Sequence, residues 1–342
     1  MAGEYVLRQA HSDDFESLVA LATASADTGR IRVAPKYLAN PVDAWAALKP
    51  ELEWVVAESE DGLIGGGQMI FGEVEVEGNL YRSAALGSLM VHPAHRRRGI
   101  AKAVTRWRLD RAGPDAVVLA GIQTGNAGSF ANAKSWATQI FGKLVLPVFR
   151  VKRGASLPRG LEIREPGNDS EWEQAAQGLA RFEQGWNLRI PKTGELLRER
   201  SAVTFQGERF QRFFVVLERG RVVGGFELFE GARLQSLVFE HIPAPLRALN
   251  LFLRVLPRDG DLRANTMSSI WWAQDRDDVA RALWAHARSA AAESGNAVST
   301  QLAPRGPLRK FVPLRPWTPQ GELSIAVRSP VPLSEDRPLS AP

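Results

Sequence analysis

Positive charge and backbone freedom coincide in one run of this sequence, V-H-P-A-H-R-R-R-G-I-A, at Val91 to Ala101. A strand-like apolar stretch arrives at Val91, Pro93 cannot continue a ladder, and three arginines stand before Gly99 and a helical segment. Such a turn can trap an anion in three ways. The N–H groups of a helix's first turn lack intrahelical acceptors. The helix dipole favours negative charge there by about 0.3–1 kcal/mol. Arg96, Arg97 and Arg98 can add charge-assisted contacts of about 1.5–3 kcal/mol each. Gly99 lets an anion approach the main chain, and Ala101 keeps the next position small. The alternative is an exposed basic turn capping an ordinary helix. Two features favour the anion site: the glycine falls at the helix start, and no acid interrupts His92 to Ile100.

The flanking elements must hold that turn. Strand Tyr5–Gln9 leads into a helix over Ser12–Ala24, with Ser12 as N-cap. A second helix follows Pro41, over Val42 to Ala47. Strand Trp54–Glu58 pairs with Leu63–Val76, and Glu77-Gly78-Asn79 turns the chain into Leu80–Val91. The helix Ile100–Arg111 stops at Gly113-Pro114. Strand Ala116–Gln123, a helix from near Gly128 to before Gly142, and strand Leu144–Lys152 complete a mixed α/β layer.

The sequence then repeats. V-L-R-Q-A at Val6 to Ala10 is echoed by E-I-R-E-P at Glu162 to Pro166, placing Arg8 and Arg164 156 positions apart. Val55-Val56-Ala57-Glu58 leads to Ile64-Gly65-Gly66, as Val215-Val216-Leu217-Glu218 leads to Val223-Gly224-Gly225. Two matches in the same order and at similar offset predict a duplicated domain. The expected division is 1–153 and 161–330, joined by a linker at 154–160 (G-A-S-L-P-R-G) and followed by a proline-rich, loose tail at 331–342.

At 342 residues, 44% hydrophobic and 24% charged, the chain has the composition of a soluble globular protein with room for two cores. It contains no cysteine, which removes disulfides, thiolate metal sites and a cysteine nucleophile. The segment Met1 to Gln9 lacks the apolar run of a signal peptide, and no stretch reaches the ~20 apolar residues of a membrane span. A cytoplasmic protein without metal or membrane partner is expected. The net charge of +5 and pI near 9.7 raise nucleic-acid binding as an option, but aromatic interleaving and zinc-ligand spacing are missing.

Arg96-x-x-Gly99-x-Ala101 resembles the Arg/Gln-x-x-Gly-x-Gly/Ala signature of the GCN5-related N-acetyltransferases (GNAT superfamily). The preceding L-M-V-H-P strand end and the order of elements on both sides resemble that superfamily too. The likeness covers residues 4 to 152 well and 161 to 330 faintly, which implies two tandem GNAT-like domains with a degenerate second copy. It implies an acyl-CoA-dependent enzyme, most simply an acetyl-CoA N-acetyltransferase acting on a small-molecule amine, as monomer or homodimer. Main-chain groups of Leu89, Met90 and Val91, on a strand splayed from its parallel neighbour, would bond the pantetheine arm and thioester. Amides from Arg96, Arg97, Arg98, Gly99, Ile100 and Ala101 would cradle the pyrophosphate. Asn126, with Ser129, matches an asparagine that contacts the cofactor arm; Asn132 with Ser135 has the same spacing.

The chain also departs from the pattern. Many members carry a glutamate base where Ala85 stands, and a tyrosine acid where Ala133 or Gln139 stands. Glu73 and Glu75, on the neighbouring strand, are the candidates for a water-mediated base, against a reading as solvated strand residues. These departures motivate a different class of function, a non-catalytic CoA-binding sensor. In the second copy, Trp271 to Ala280 matches the anion turn and places Asp278 at the glycine, so that half is expected to bind no CoA. Arg30, Arg32, Lys36 and Tyr37 fall in the stretch that borders the acceptor site in this family.

Overall fold

The computed structural model describes residues 5–25, 32–241, 250, 256–257, 259–303 and 305–340; Arg30 lies outside them. The first half runs β1 (Val6–Gln9), α1 (Phe15–Ser25), β2 (Arg32–Tyr37), α2 (Pro41–Leu48), β3 (Leu52–Ser59), β4 (Gly62–Val76), β5 (Asn79–Val91), α3 (Ile100–Ala112), β6 (Val117–Gln123), α4 (Ala127–Ala133) and β7 (Gln139–Arg150). The second half opens with β8 (Leu161–Arg164), α5 (Asp169–Phe182) and α6 (Gly194–Ala202), then a small hairpin of β9 (Thr204–Phe205) and β10 (Glu208–Arg209). It continues with β11 (Gln211–Glu218), β12 (Arg221–Phe229), β13 (Gln235–His241), β14 (Asp261–Leu262), β15 (Ala264–Trp272), α7 (Asp277–Ala290), β16 (Ala297–Thr300) and β17 (Gln320–Arg328).

Local chemistry explains the element ends. Asn40 caps α2, its side-chain oxygen accepting the Val42 N–H at 2.9 Å, with Pro41 at the first helical position. Asn168 caps α5 in the same way through the Glu171 N–H. Ser12 does not cap a helix: it lies in a 3-10 turn, Ser12–Asp14, and its hydroxyl donates to Asp43. The turn forms because the Asp14 carboxylate accepts both the His11 N–H and the Arg8 guanidinium.

That contact explains the first repeat. Arg8 grips Asp14 with two bonds of 2.7 and 2.8 Å, and Arg164 grips Glu171 with two of the same lengths. In both halves an arginine on the first strand staples the start of the first helix to the sheet. The shared arginine is architectural.

Twelve strands form one sheet in the order β1-β3-β4-β5-β6-β17-β7-β16-β15-β12-β11-β8. The two halves exchange strands across its centre. β17, from the end of the chain, pairs antiparallel with β6 of the first half, while β7 pairs antiparallel with β16 of the second. β7 and β17 pair with each other in the middle. The expected closing strand Leu144–Lys152 is therefore corrected twice: it starts at Gln139, and it bridges the halves instead of closing the first one. Correspondingly, α4 ends at Ala133 and not just before Gly142.

The expected loose tail is packed. Leu333 and Leu339 are buried with Val74, Val76, Leu119, Leu144 and Leu188, and the Ser340 N–H donates to the Asn187 carbonyl at 2.9 Å. Proline-rich composition removes ladder donors, but it does not prevent isolated leucines from filling a groove. Strand β2 was not expected either. It pairs with β13 of the second half, and α2 packs there too, with Trp45 stacked on Phe229 at 5.5 Å. Among the described residues no helix is long and apolar enough to cross a membrane.

Candidate active site

The centre of the first half is a fork between two strands. β5 and β6 run parallel and pair from Ser83–Val117 to Leu86–Ala120. Beyond that point β5 continues to Val91 and β6 to Gln123 without pairing to each other, while β17 stays paired to the other edge of β6. Gly87 to Val91 thus line an opening between parallel strands. Leu89, Met90 and Val91 lie on it, as the expected splay requires.

A β-bulge sits at the mouth of this fork. Gln68 pairs with Gly87 and Gly66 with Met90, so Ser88 and Leu89 together oppose Gly67. Ser88 adopts φ +45°, a left-handed conformation costly for a residue with a side chain.

The basic turn follows directly. Pro93–His95 form a short 3-10 turn, Arg97 takes φ +65°, and Gly99 is the N-cap of α3 at φ +82°. The first helical main-chain bond is Ala103 N–H to Gly99 O, at 3.0 Å. The N–H groups of Arg97, Arg98, Gly99, Ile100, Ala101 and Lys102 therefore have no main-chain acceptor among the described residues. No side chain caps them. Arg96, Arg97 and Arg98 are exposed and form no ion pair there; Arg96 Nε donates to Val91 O at 3.4 Å, and Arg98 approaches His95 Nδ1 at 3.4 Å. Ile100 anchors the helix start: a Cβ on Gly65 would meet its Cγ2 at 2.6 Å, so Gly65 is required by this approach. A row of free amides and three unneutralised guanidiniums face outward together.

The two candidate asparagines separate. Asn132 Nδ2 donates to Thr105 Oγ1 on α3 at 2.8 Å, which ties α4 to α3. Asn126, just past β6, caps α4 through its oxygen, accepting the Ser129 N–H at 2.9 Å. Its side chain is exposed, and its amide nitrogen makes no hydrogen bond among the described residues.

Residues 7–129 match the family model described as the acetyltransferase (GNAT) domain. The first half of the chain carries a GNAT acetyltransferase domain. No curated protein matches it in sequence. Among solved structures, Saccharomyces cerevisiae N-myristoyltransferase with bound myristoyl-CoA is similar in fold, with TM-score 0.64 at 12% identity over 94% of this chain and 82% of that one. A tandem GNAT protein from the clavulanic acid biosynthesis pathway aligns with TM-score 0.55 at 14% identity, covering 97% of this chain and 100% of that one. A GCN5-related N-acetyltransferase from Sphaerobacter thermophilus gives 0.55 at 15%, covering 97% and 98%. The fold is that of a tandem GNAT protein, a mixed α/β architecture on one large mixed sheet.

The second GNAT-like half preserves the framework and changes the chemistry. Gly224 repeats Gly65, its absent Cβ making room for Val279 as Gly65 does for Ile100. This register sets Asp278 opposite Gly99. Arg276, the N-cap of α7, is bound twice over, to Asp278 at 2.9 Å and to Glu218 at 2.8 and 3.1 Å. Asp277 pairs with Lys310 at 2.7 Å. Arg276 holds the Asp278 carboxyl below its usual range. Here acids occupy the helix start and neutralise the one arginine.

The GNAT positions for acid and base hold no acid or base. Ala85 packs against the cluster containing Leu188 and Leu339, and Ala133 is buried. Gln139 binds the carboxy-terminal segment, exchanging bonds with Leu333 O and N–H at 3.1 and 2.8 Å. Glu73 is exposed and pairs across to Arg82, five residues beyond Gln68, roughly 17 Å along the strand at ~3.4 Å per residue. Glu75 is farther still, its carboxylate ion-paired to Arg189 and its N–H donating to Arg189 O. The structure therefore does not bring Glu73 or Glu75 to the bulge. A residue that sequence reading passed over does stand there: Arg108, only 2% exposed, on α3. Its signal was present in the spacing, since Ile100, Val104 and Arg108 recur every fourth residue on the buried face of the helix.

Proposed function

We propose that this protein is an acyl-CoA-dependent N-acyltransferase, acetyl-CoA being the simplest donor and a small-molecule amine the acceptor. The observation that carries the reading is the row of unpartnered amides from Arg97 to Lys102 beside three unpaired arginines. Those groups would hold the pyrophosphate. Main-chain groups of Leu89 to Val91 would align the pantetheine arm along the open side of β5, with Asn126 beside it. The acyl carbon then lies near the bulge, where an amine attacks it: the C–N bond forms, the C–S bond breaks, and the electron pair leaves on sulfur. With Ala85 in place of a glutamate, the amine's proton passes to water and the thiolate takes a proton from solvent. Proximity and polarisation of the thioester supply the rate. The second half, through β13 against β2 and Phe229 against Trp45, would wall the acceptor side.

Calorimetry with CoA tests the site. The parent should bind, and Arg96→Glu/Arg98→Glu should lose at least about a hundredfold in affinity, from two charge-assisted contacts of ~1.5–3 kcal/mol, with an unchanged melting temperature. Absence of binding by the parent would sink the proposal. A non-catalytic CoA-binding protein is the second reading, favoured specifically by Ala85. Acetyl-CoA mixed with an amine panel discriminates, because the cysteine-free chain adds no thiol background to the detection of released CoA. Tight binding without thiol release would favour that second reading.

A further inference from the structure

Arg108 is a buried guanidinium that no acid neutralises. Arg108 Nη1 donates to Gln68 O and to Gly87 O, both at 3.0 Å, and Nη2 approaches Thr105 Oγ1 at 3.3 Å. Its Nε has no partner. Burial alone, unrelieved by any carboxylate, pushes its pKa down to about 10. Room for it exists only because residue 67 is glycine: a Cβ there would lie 2.8 Å from Nη1.

The second half supplies an internal control. Its bulge has the same register, Glu227 opposite Ser268 and Gly225 opposite Trp271, with Ser269 at φ +50° where Ser88 has +45°. The position of Gly67 is taken by Phe226 and that of Arg108 by Ala287, both fully buried. The same fold therefore closes this spot with an apolar pair, at no desolvation cost. The same framework thus fills this position without an arginine.

The two carbonyls that Arg108 holds belong to the Gln68–Gly87 pair next to the bulge, one from each strand. In a trans peptide the carbonyl and the following N–H point in opposite directions. Fixing Gly87 O onto the guanidinium thus turns the Ser88 N–H away from it and sets the course of the main chain into Leu89, along the fork. We propose that Arg108 is a positioning residue for acyl transfer, pinning the Gly87–Leu89 bulge so that its main-chain donors meet the thioester carbonyl. The inference rests on the acyltransferase reading. It explains why this half keeps a buried unpaired cation while the half with acids at its helix start does not.

The test transplants the second half's solution, Gly67→Phe/Arg108→Ala, into the full-length chain. Three readouts apply: calorimetric affinity for CoA, thiol release with acetyl-CoA and amines, and the infrared band of carbonyl-¹³C acetyl-CoA when bound. In the parent the band moves to lower wavenumber on binding. In the folded variant affinity for CoA persists, the shift is lost, and kcat falls about a hundredfold, the size typical of losing one preorganised donor. A variant that binds CoA and retains the shift overturns the inference, as does a parent that binds without any shift, or a folded variant that fails only in binding. Failure of the parent itself to bind CoA would instead overturn the acyltransferase reading. Should the double variant not fold, Arg108→Lys serves: its ammonium cannot reproduce the fork of contacts, so the shift and kcat drop at unchanged affinity, and their retention refutes the role.

Discussion

Charge at single residues divides into three uses in this protein. Arg8 and Arg164 staple helices, Arg108 holds main-chain carbonyls, and Arg96 to Arg98 form no ion pair with the described residues, which leaves their charge for a ligand. The staple can be read by pH. Its bond to Arg164 is the main reason the Glu171 carboxyl has its pKa lowered from 4.5 to about 2, assisted by the Gly167 N–H. A carboxyl depressed in the folded state contributes stability that is present above pH 4.5 and lost as the pH falls toward 2. Acid melting curves should therefore steepen between those values, and Arg164→Ala should flatten that part while lowering the neutral melting temperature by about 2–4 °C, for ~1 kcal/mol lost. A second expectation concerns turnover. Without a carboxylate at residue 85, kcat/KM should rise monotonically until the acceptor amine is deprotonated; a limb in the carboxylate range would reveal a base that this site lacks.

At the scale of elements, two helices with the same packing present opposite ends. α3 begins at a left-handed glycine with six free amides, whereas α7 begins with Asp277 and Asp278 and a doubly bound arginine. Titration should give one CoA per chain, and Arg276→Ala should leave that stoichiometry unaltered; two sites per chain would contradict the assignment. The geometry of the basic turn was legible in the sequence, because helix-start amides, a glycine and contiguous arginines form a local pattern. The bulge was not. It depends on β4 offering one residue where β5 offers two, a mismatch visible only when the strands are aligned. β2 was missed for a similar reason: its partner, β13, is about 200 positions away and belongs to the other half.

Across the whole molecule, the exchange of β7 and β17 makes each half incomplete without the other. Calorimetric unfolding should show a single transition, and a chain ending at residue 310 should lose it, since removal of β17 uncovers the edge of β6 and takes away the buried Ile325, Ala326 and Val327. Two separate transitions, or a cooperative melt of the truncated chain, would count against such interdependence. Leu333→Ala and Leu339→Ala should each cost about 2–4 kcal/mol in denaturant unfolding, although their composition suggested a tail.

The sequence by itself determined what is encoded within a few residues or by repetition: the basic turn at a helix start, the hairpins, and a duplication in which the second helix start is acidic. Tertiary structure alone decided which strands neighbour one another, where the tail packs, that Glu73 and Glu75 lie far from the bulge, and that Arg108 lies under it. The physical reason is range. Caps and turns are settled by bonds between residues close in the chain, whereas strand exchange, and the burial of a lone cation, are settled by which surfaces remain to be covered once both halves have folded together.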